Sequence, residues 1–161
     1  VTRRRQLLIA AGALATAPAL RAAPAAPGEP VRWPAVTLLD GTSWQATPGQ
    51  PQVLVFWSLT CPFCQRHNVH VEKLYRAAIA QHGPGVLSAV RERDAAAVRR
   101  HMAQRGWSFP VTLDSEALGA ALGARRVVPL TVVVDARGRL KQSIPGEMFE
   151  EDVMELMERA A

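Results

Sequence analysis

The spacing of apolar residues changes period several times along the chain, and each change marks an element. Gln52-Val53-Leu54-Val55-Phe56-Trp57 is a nearly continuous apolar run, the signature of a strand buried on both faces. Val86-Leu87-Ser88-Ala89-Val90 and Leu130-Thr131-Val132-Val133-Val134 read the same way. Val36-Thr37-Leu38-Leu39 ahead of Asp40-Gly41 predicts a strand and tight turn, with Ser43-Trp44 returning. Elsewhere the period lengthens to that of a helix. Val69, Val71, Leu74, Ala77 and Ala78 support one running to about Gln81, stopped by Gly83-Pro84-Gly85. Asp94 caps a second helix over 95–105, with Val98 and Met102 on one face and Gly106 at its end.

The remaining pattern completes the domain. Phe109 to Leu113 is short and extended, and Glu116 to Leu122 is a brief helix. Asp135-Ala136-Arg137-Gly138 turns the strand at 130–134 into a return strand over Arg139 to Ile144. Glu147 to Ala160 closes the chain as a helix, with Phe149, Val153, Leu156 and Met157 forming its apolar face. Parallel pairs joined by helices come first and an antiparallel hairpin with a helix comes last, which is an α/β layout with a mixed central sheet. No internal repeat is visible.

Upstream of this domain the composition changes. Arg3-Arg4-Arg5 precedes an apolar run from Leu7 to about Leu20, then an Ala/Pro stretch. The run is shorter than the roughly 20 residues a membrane-spanning helix needs, so residues 1–25 read as an export signal or an N-terminal anchor. Arg-Arg ahead of Gln-Leu-Leu partly resembles a twin-arginine signal. Residues 26–34 read as a Pro/Ala-rich linker, and 35–161 as the folded domain.

This division changes the meaning of the charge. The chain has 19 Lys and Arg against 14 Asp and Glu, a net charge of +5. Setting aside Arg3, Arg4, Arg5 and Arg21 leaves 15 basic residues against 14 acidic ones, a nearly balanced domain. No basic stripe with interleaved aromatics occurs in it, so nucleic acid is excluded as a partner.

The chemistry concentrates in Phe56-Trp57-Ser58-Leu59-Thr60-Cys61-Pro62-Phe63-Cys64, which contains both cysteines of the chain. A bridge across two residues closes too small a loop to restrict the unfolded chain much, so stability is a poor reason for the pair. A buried strand delivers Cys61 to the first turn of a helix, where unpaired N–H groups and the helix dipole favour thiolate. Pro62 suits that position because its missing N–H costs nothing there. Cys64 follows almost one turn later as the resolving thiol. Val127-Val128-Pro129-Leu130-Thr131 is the second piece, with Pro129 just before the penultimate strand.

With both pieces present, the chain from about Trp33 onward resembles the TlpA/ResA-like thiol–disulfide oxidoreductases of the thioredoxin superfamily. Phe56-Trp57 before the cysteines, Trp107-Ser108-Phe109-Pro110-Val111 after an inserted helix, and Val-Pro-Leu-Thr leading into Val-Val-Val-Asp carry the likeness. The resemblance implies a thioredoxin fold with an N-terminal strand hairpin and an inserted helix. It implies a cis bond at Pro129 packed against the cysteine pair, Trp57, Val128 and Pro129 as substrate contacts, and no cofactor beyond the redox-active Cys61–Cys64 pair. Residence outside the cytoplasm, a membrane thiol electron donor, and protein substrates such as apocytochrome c haem-site cysteines are implied as well.

Three positions depart from the family pattern. Thioredoxins keep a buried Asp where this chain has Val55, and ResA-like proteins often place Glu and Pro where it has His67 and Val69. A buried carboxylate usually accepts the resolving thiol's proton, so His67 is the candidate for that step; the plainer reading makes it a partly exposed helix residue. Cys61, Cys64, His67 and His70 invite a zinc or copper reading. Residues three apart on a helix drift by about 60° per step, so the four diverge and no metal ligand set is assigned. A peroxiredoxin-type peroxidase would need Thr three residues before the reactive cysteine, where Ser58 stands. His82 and His101 read as solvent-facing. Dithiol oxidase or isomerase activity stays open beside reduction, as does the oligomeric state.

Overall fold

A computed structural model describes residues 23–124 and 126–160. Seven strands form among them: β1 (Val36–Thr37), β2 (Ser43–Trp44), β3 (Gln52–Trp57), β4 (Gly85–Val90), β5 (Val111–Thr112), β6 (Leu130–Val134) and β7 (Leu140–Pro145). Strands β1 and β2 make a separate antiparallel hairpin, and the other five form one sheet in the order β5-β4-β3-β6-β7. β4 is parallel to β3 and to β5, whereas β6 runs antiparallel to both β3 and β7. That is the mixed sheet expected of a thioredoxin-type domain.

Strand β3 is central and buried along its whole length. Its odd-numbered residues Val53, Val55 and Trp57 point into a core shared with α1 (Pro62–Gln81), α2 (Ala95–Arg105), α4 (Glu150–Met154) and α5 (Leu156–Arg159). Leu54 and Phe56 point the other way, into a core with α3 (Ser115–Ala121), the N-terminal hairpin and Leu140. Two-sided burial is why the sequence shows a continuous apolar run there rather than alternation. Leu54 is fully buried in the second core. A Leu54→Ala variant is therefore expected to lose about 2–5 kcal/mol in urea unfolding; a loss under about 1 kcal/mol would contradict that packing.

Helix α2 follows the sequence closely: the Asp94 carboxylate accepts from the N–H groups of Ala96 and Ala97, and Gly106 ends it at φ 67°. Helix α1 buries Val71, Leu74 and Ala78 as its apolar spacing predicts, but its inner face is wider and more polar than that spacing shows. Val69 is exposed, while His67, Asn68 and Glu72 lie inside with Val71 and Leu74. Glu72 can be buried because Ser108 and Phe109 donate to it from the segment after α2, and Arg76 from the next turn.

Two further expectations change. The closing helix starts at Glu150 rather than Glu147 and is interrupted at Glu155, and Phe149 caps it at 77% exposure instead of packing inward. The preceding loop is held elsewhere, by contacts described below. The Pro/Ala-rich stretch read as a linker lies bonded along the domain. Gly28 and Val31 donate to Leu140 and Gly138 carbonyls, and Glu29 accepts from Leu140; Ala25, just ahead of that stretch, donates to Ala121. Among the described residues no helix is long and apolar enough to cross a membrane.

Candidate active site

Beyond Trp57 the chain leaves β3 through a turn in which the Cys61 N–H donates to the Ser58 carbonyl at 3.3 Å. Cys61 becomes the N-cap of α1, with extended backbone (φ −90°, ψ 109°), and Pro62 occupies the first helical turn. Cys61 Sγ accepts the Cys64 N–H at 3.1 Å, one of the donors that a helix start leaves unpaired. The two cysteines are disulfide-bonded, with Cα atoms 5.2 Å apart. Cys61 is part-exposed and Cys64 completely buried. Only one sulfur faces a partner. In the dithiol state the same N–H and helix dipole stabilise a Cys61 thiolate.

The second piece converges on the first. The Val128–Pro129 peptide bond is cis, and the Val128 carbonyl lies 3.8 Å from Cys61 Sγ. Pro129 is buried, Val128 half-buried, and Val127 exposed beside them. Arg91, just past β4, donates to the carbonyls of Arg126 (2.6 Å) and Val127 (3.3 Å), and its own N–H bonds the Trp57 carbonyl. One residue thus ties the loop before Pro129 to the end of the strand that delivers the cysteines. On the other side the Gly146 N–H donates to the Pro129 carbonyl at 2.8 Å.

Trp57, expected among the substrate contacts, is enclosed instead of open at the surface. Its side chain is fully buried, its indole N–H donates to Ser88 Oγ at 3.2 Å, and Trp107 meets it edge-on at 5.8 Å. It supports the turn from beneath. His101 is not simply solvent-facing either: it packs against Trp57 and Trp107, and Nε2 bonds Gln65 Oε1 at 2.7 Å. Burial, then neighbouring Arg105, lower its pKa against the pull of Glu92. Phe63 is 54% exposed beside the disulfide, under the Arg66 guanidinium, which Glu147 holds with two hydrogen bonds.

His67 is fully buried, contrary to the reading of a partly exposed residue. The Met148 N–H donates to Nδ1 at 3.3 Å, so in the neutral ring Nε2 carries the proton and donates to Thr131 Oγ1 at 3.1 Å. Burial first, and then the charge of His70, push its pKa down to about 4 against the attraction of Glu147. Both ring nitrogens are committed. That leaves no lone pair for a proton from Cys64, and the geometry gives His67 a different part. It pins α1 to Thr131, two residues past Pro129, and to the loop whose Gly146 bonds the Pro129 carbonyl. His70 turns away toward Glu150, 3.5 Å from its carboxylate.

Val55 sits between Ser88 and Thr131 in the sheet register, so two hydroxyls flank the position where a carboxylate was sought. The nearest carboxylate to the cysteine turn comes from outside α1. Glu92 Oε1 accepts the Leu59 N–H at 2.8 Å and the Ser58 hydroxyl at 3.0 Å, and Gln65 Nε2 donates to the Leu59 carbonyl. Sequence reasoning missed Arg91, Glu92 and Gln65. No spacing marks them: Arg91 and Glu92 reach the turn only when β4 pairs with β3, and Gln65 folds back on it from the first turn of α1.

The Redoxin family model matches residues 26–157, which spans the cysteine turn, Pro129 and every strand of the sheet. The chain belongs to the Redoxin family. Among relatives of this Redoxin chain, the thiol-disulfide oxidoreductase ResA of Halalkalibacterium halodurans is 29% identical over 110 residues, 68% of this chain and 62% of the relative. The chain therefore spans less than two thirds of that relative's length. Two solved structures share the fold at 19% identity. A thioredoxin family thiol:disulfide interchange protein from Chlorobium tepidum has a TM-score of 0.71 over 88% of this chain and 99% of its own. A secreted disulfide oxidoreductase of Mycobacterium tuberculosis has a TM-score of 0.67 over 78% and 94%.

Proposed function

We propose that this Redoxin chain is an exported thiol–disulfide oxidoreductase that reduces disulfides in exported proteins, apocytochrome c haem-site cysteines among them. The unequal exposure of its two sulfurs carries the reading: Cys61 is reachable at a helix start, and Cys64 is wholly enclosed behind it. In the dithiol state the Cys61 thiolate attacks one sulfur of a substrate disulfide. That S–S bond breaks, one substrate sulfur leaves as thiolate and takes up a proton, and a mixed disulfide forms on Cys61. Cys64, losing its proton, then attacks Cys61 Sγ and releases the second substrate thiol. The substrate gains two electrons and two protons, and the enzyme ends with the Cys61–Cys64 disulfide. The exposed Val127 and the Val128 carbonyl flank the attacking sulfur, where an extended substrate backbone would lie.

A membrane thiol donor returns the electrons in this scheme. Export is supported by the basic-then-apolar leader and by likeness to a relative described as secreted. A second reading, dithiol oxidase or isomerase, is favoured by Val55 and by the neutral His67, which place no charge beside Cys64. The test is dithiothreitol-coupled insulin reduction over several turnovers. Activity is expected in the wild type and only background in Cys61→Ser and in Cys64→Ser. A wild type at background would refute reduction, and turnover surviving in either variant would refute the dithiol mechanism.

A further inference from the structure

The Ser58–Cys61 turn is tied down by a carboxylate that the exchange scheme above leaves unused. Glu92 lies two residues past β4 and reaches across to β3's end. Its Oε1 takes both the Leu59 N–H and the Ser58 hydroxyl, and Ser58 in turn offers its carbonyl to the Cys61 N–H. Oε2 is buried and has no hydrogen-bond partner among the described residues. No ion pair to Glu92 occurs among them either. The Glu92 carboxylate is thus bonded directly into the turn that leads to Cys61, with its second oxygen unpartnered.

We propose that Glu92 is a positioning residue of the exchange reaction, fixing the turn that presents Cys61 and opposing, through its charge, formation of the Cys61 thiolate. The inference rests on exchange chemistry at Cys61, which the reductase and oxidase readings share. Two fields meet at Cys61. The helix start and the Cys64 N–H favour the thiolate. A neighbouring carboxylate disfavours it, because like charges at short range in a poorly solvated place repel. A less stable thiolate makes the dithiol a better electron donor, so Glu92 does from the β4–α2 loop what Val55 and His67 do not do from β3 and α1. The other charged groups facing Glu92 are His101 from α2, Arg91 and Arg93 on its own loop, and Arg126 and Glu116 across the adjoining cleft. None of them bonds Oε2.

Charge and geometry separate cleanly in two variants. Glu92→Gln keeps an amide oxygen for Leu59 and Ser58 and removes the charge; Glu92→Ala removes both. In the reduced proteins, the rate of Cys61 alkylation by iodoacetamide is followed against pH by mass spectrometry. Glu92→Gln is expected to alkylate roughly three- to tenfold faster than wild type near pH 6, as thiolate formation moves down by about half to one pH unit. Its thermal unfolding should stay close to wild type, while Glu92→Ala unfolds earlier. A Glu92→Gln profile superimposable on wild type would overturn the proposal, whatever Glu92→Ala does. Should Cys61 of the wild type fail to alkylate ahead of Cys64, the exchange reading itself would fall, and this inference with it.

Discussion

Replacing Cys64 with serine is expected to stop turnover and to leave the protein covalently joined to its substrate through Cys61. The mixed disulfide has only one intramolecular route to resolution, attack by Cys64 on Cys61 Sγ, and serine is too poor a nucleophile to supply it. Cys61→Ser should give no adduct at all. Cys64 is completely buried behind the first turn of α1, so a protein disulfide cannot reach it. Mass spectrometry of each variant mixed with an oxidised peptide reads the difference directly. An adduct on Cys64 in the Cys61→Ser protein would mean that the roles of the two sulfurs are reversed.

The second large effect is on stability below neutral pH. His67 titrates near 6.5 when unfolded and at about 4 in the fold, because burial and then His70 disfavour its charged form. The unfolded chain therefore binds the proton more tightly, and protonation favours unfolding. The contribution of neutral His67 is complete above about pH 6.5, declines as pH falls, and is gone below about pH 4, a loss of roughly 3 kcal/mol. Most carboxylates that the fold stabilises, such as Glu147 with Arg66 and Glu150 with Lys73, have depressed pKa values and lose their contribution only as pH falls through still lower values. The window between pH 6.5 and 4 thus belongs to the histidines, to His67 first, with His101, whose pKa burial also lowers, adding in the same direction. Urea unfolding at pH 7 and near pH 4.5 should show a drop of about 2–3 kcal/mol in wild type and a much smaller one in His67→Gln. Equal drops in both would contradict the pinned, neutral imidazole. Between pH 6 and 8 His67 stays neutral, so its substitution should not alter the shape of the rate profile there.

The sheet was legible because its strands obey a strong local rule. Runs such as Val53 to Trp57 have no alternative to two-sided burial, and Asp94 and Gly106 mark both ends of α2 by cap chemistry alone. The cysteine turn and Pro129 were legible from spacing. What failed was the direction of side chains that tertiary contacts decide. Phe149 fits the apolar face of a helix from Glu147, but Arg66, His67 and Pro129 hold residues 146–148 in a loop and turn Phe149 outward. Trp57 continues the inward alternation of β3, so the last residue of the strand that leads to the cysteines is shut beneath them. His67, Asn68 and Glu72 hide the true buried face of α1, since a search for apolar residues passes over polar ones. Glu92 and Arg91 lie some thirty residues from the cysteines and meet the turn only through parallel β3–β4 pairing.

The reduction potential of the Cys61–Cys64 pair, from equilibration with glutathione redox buffers, tests the reductase assignment most directly. A donor that reduces protein disulfides should lie below about −250 mV, in the range of reducing dithiols. A value near about −120 mV, that of a strong oxidant, would contradict it and make the chain a dithiol oxidase.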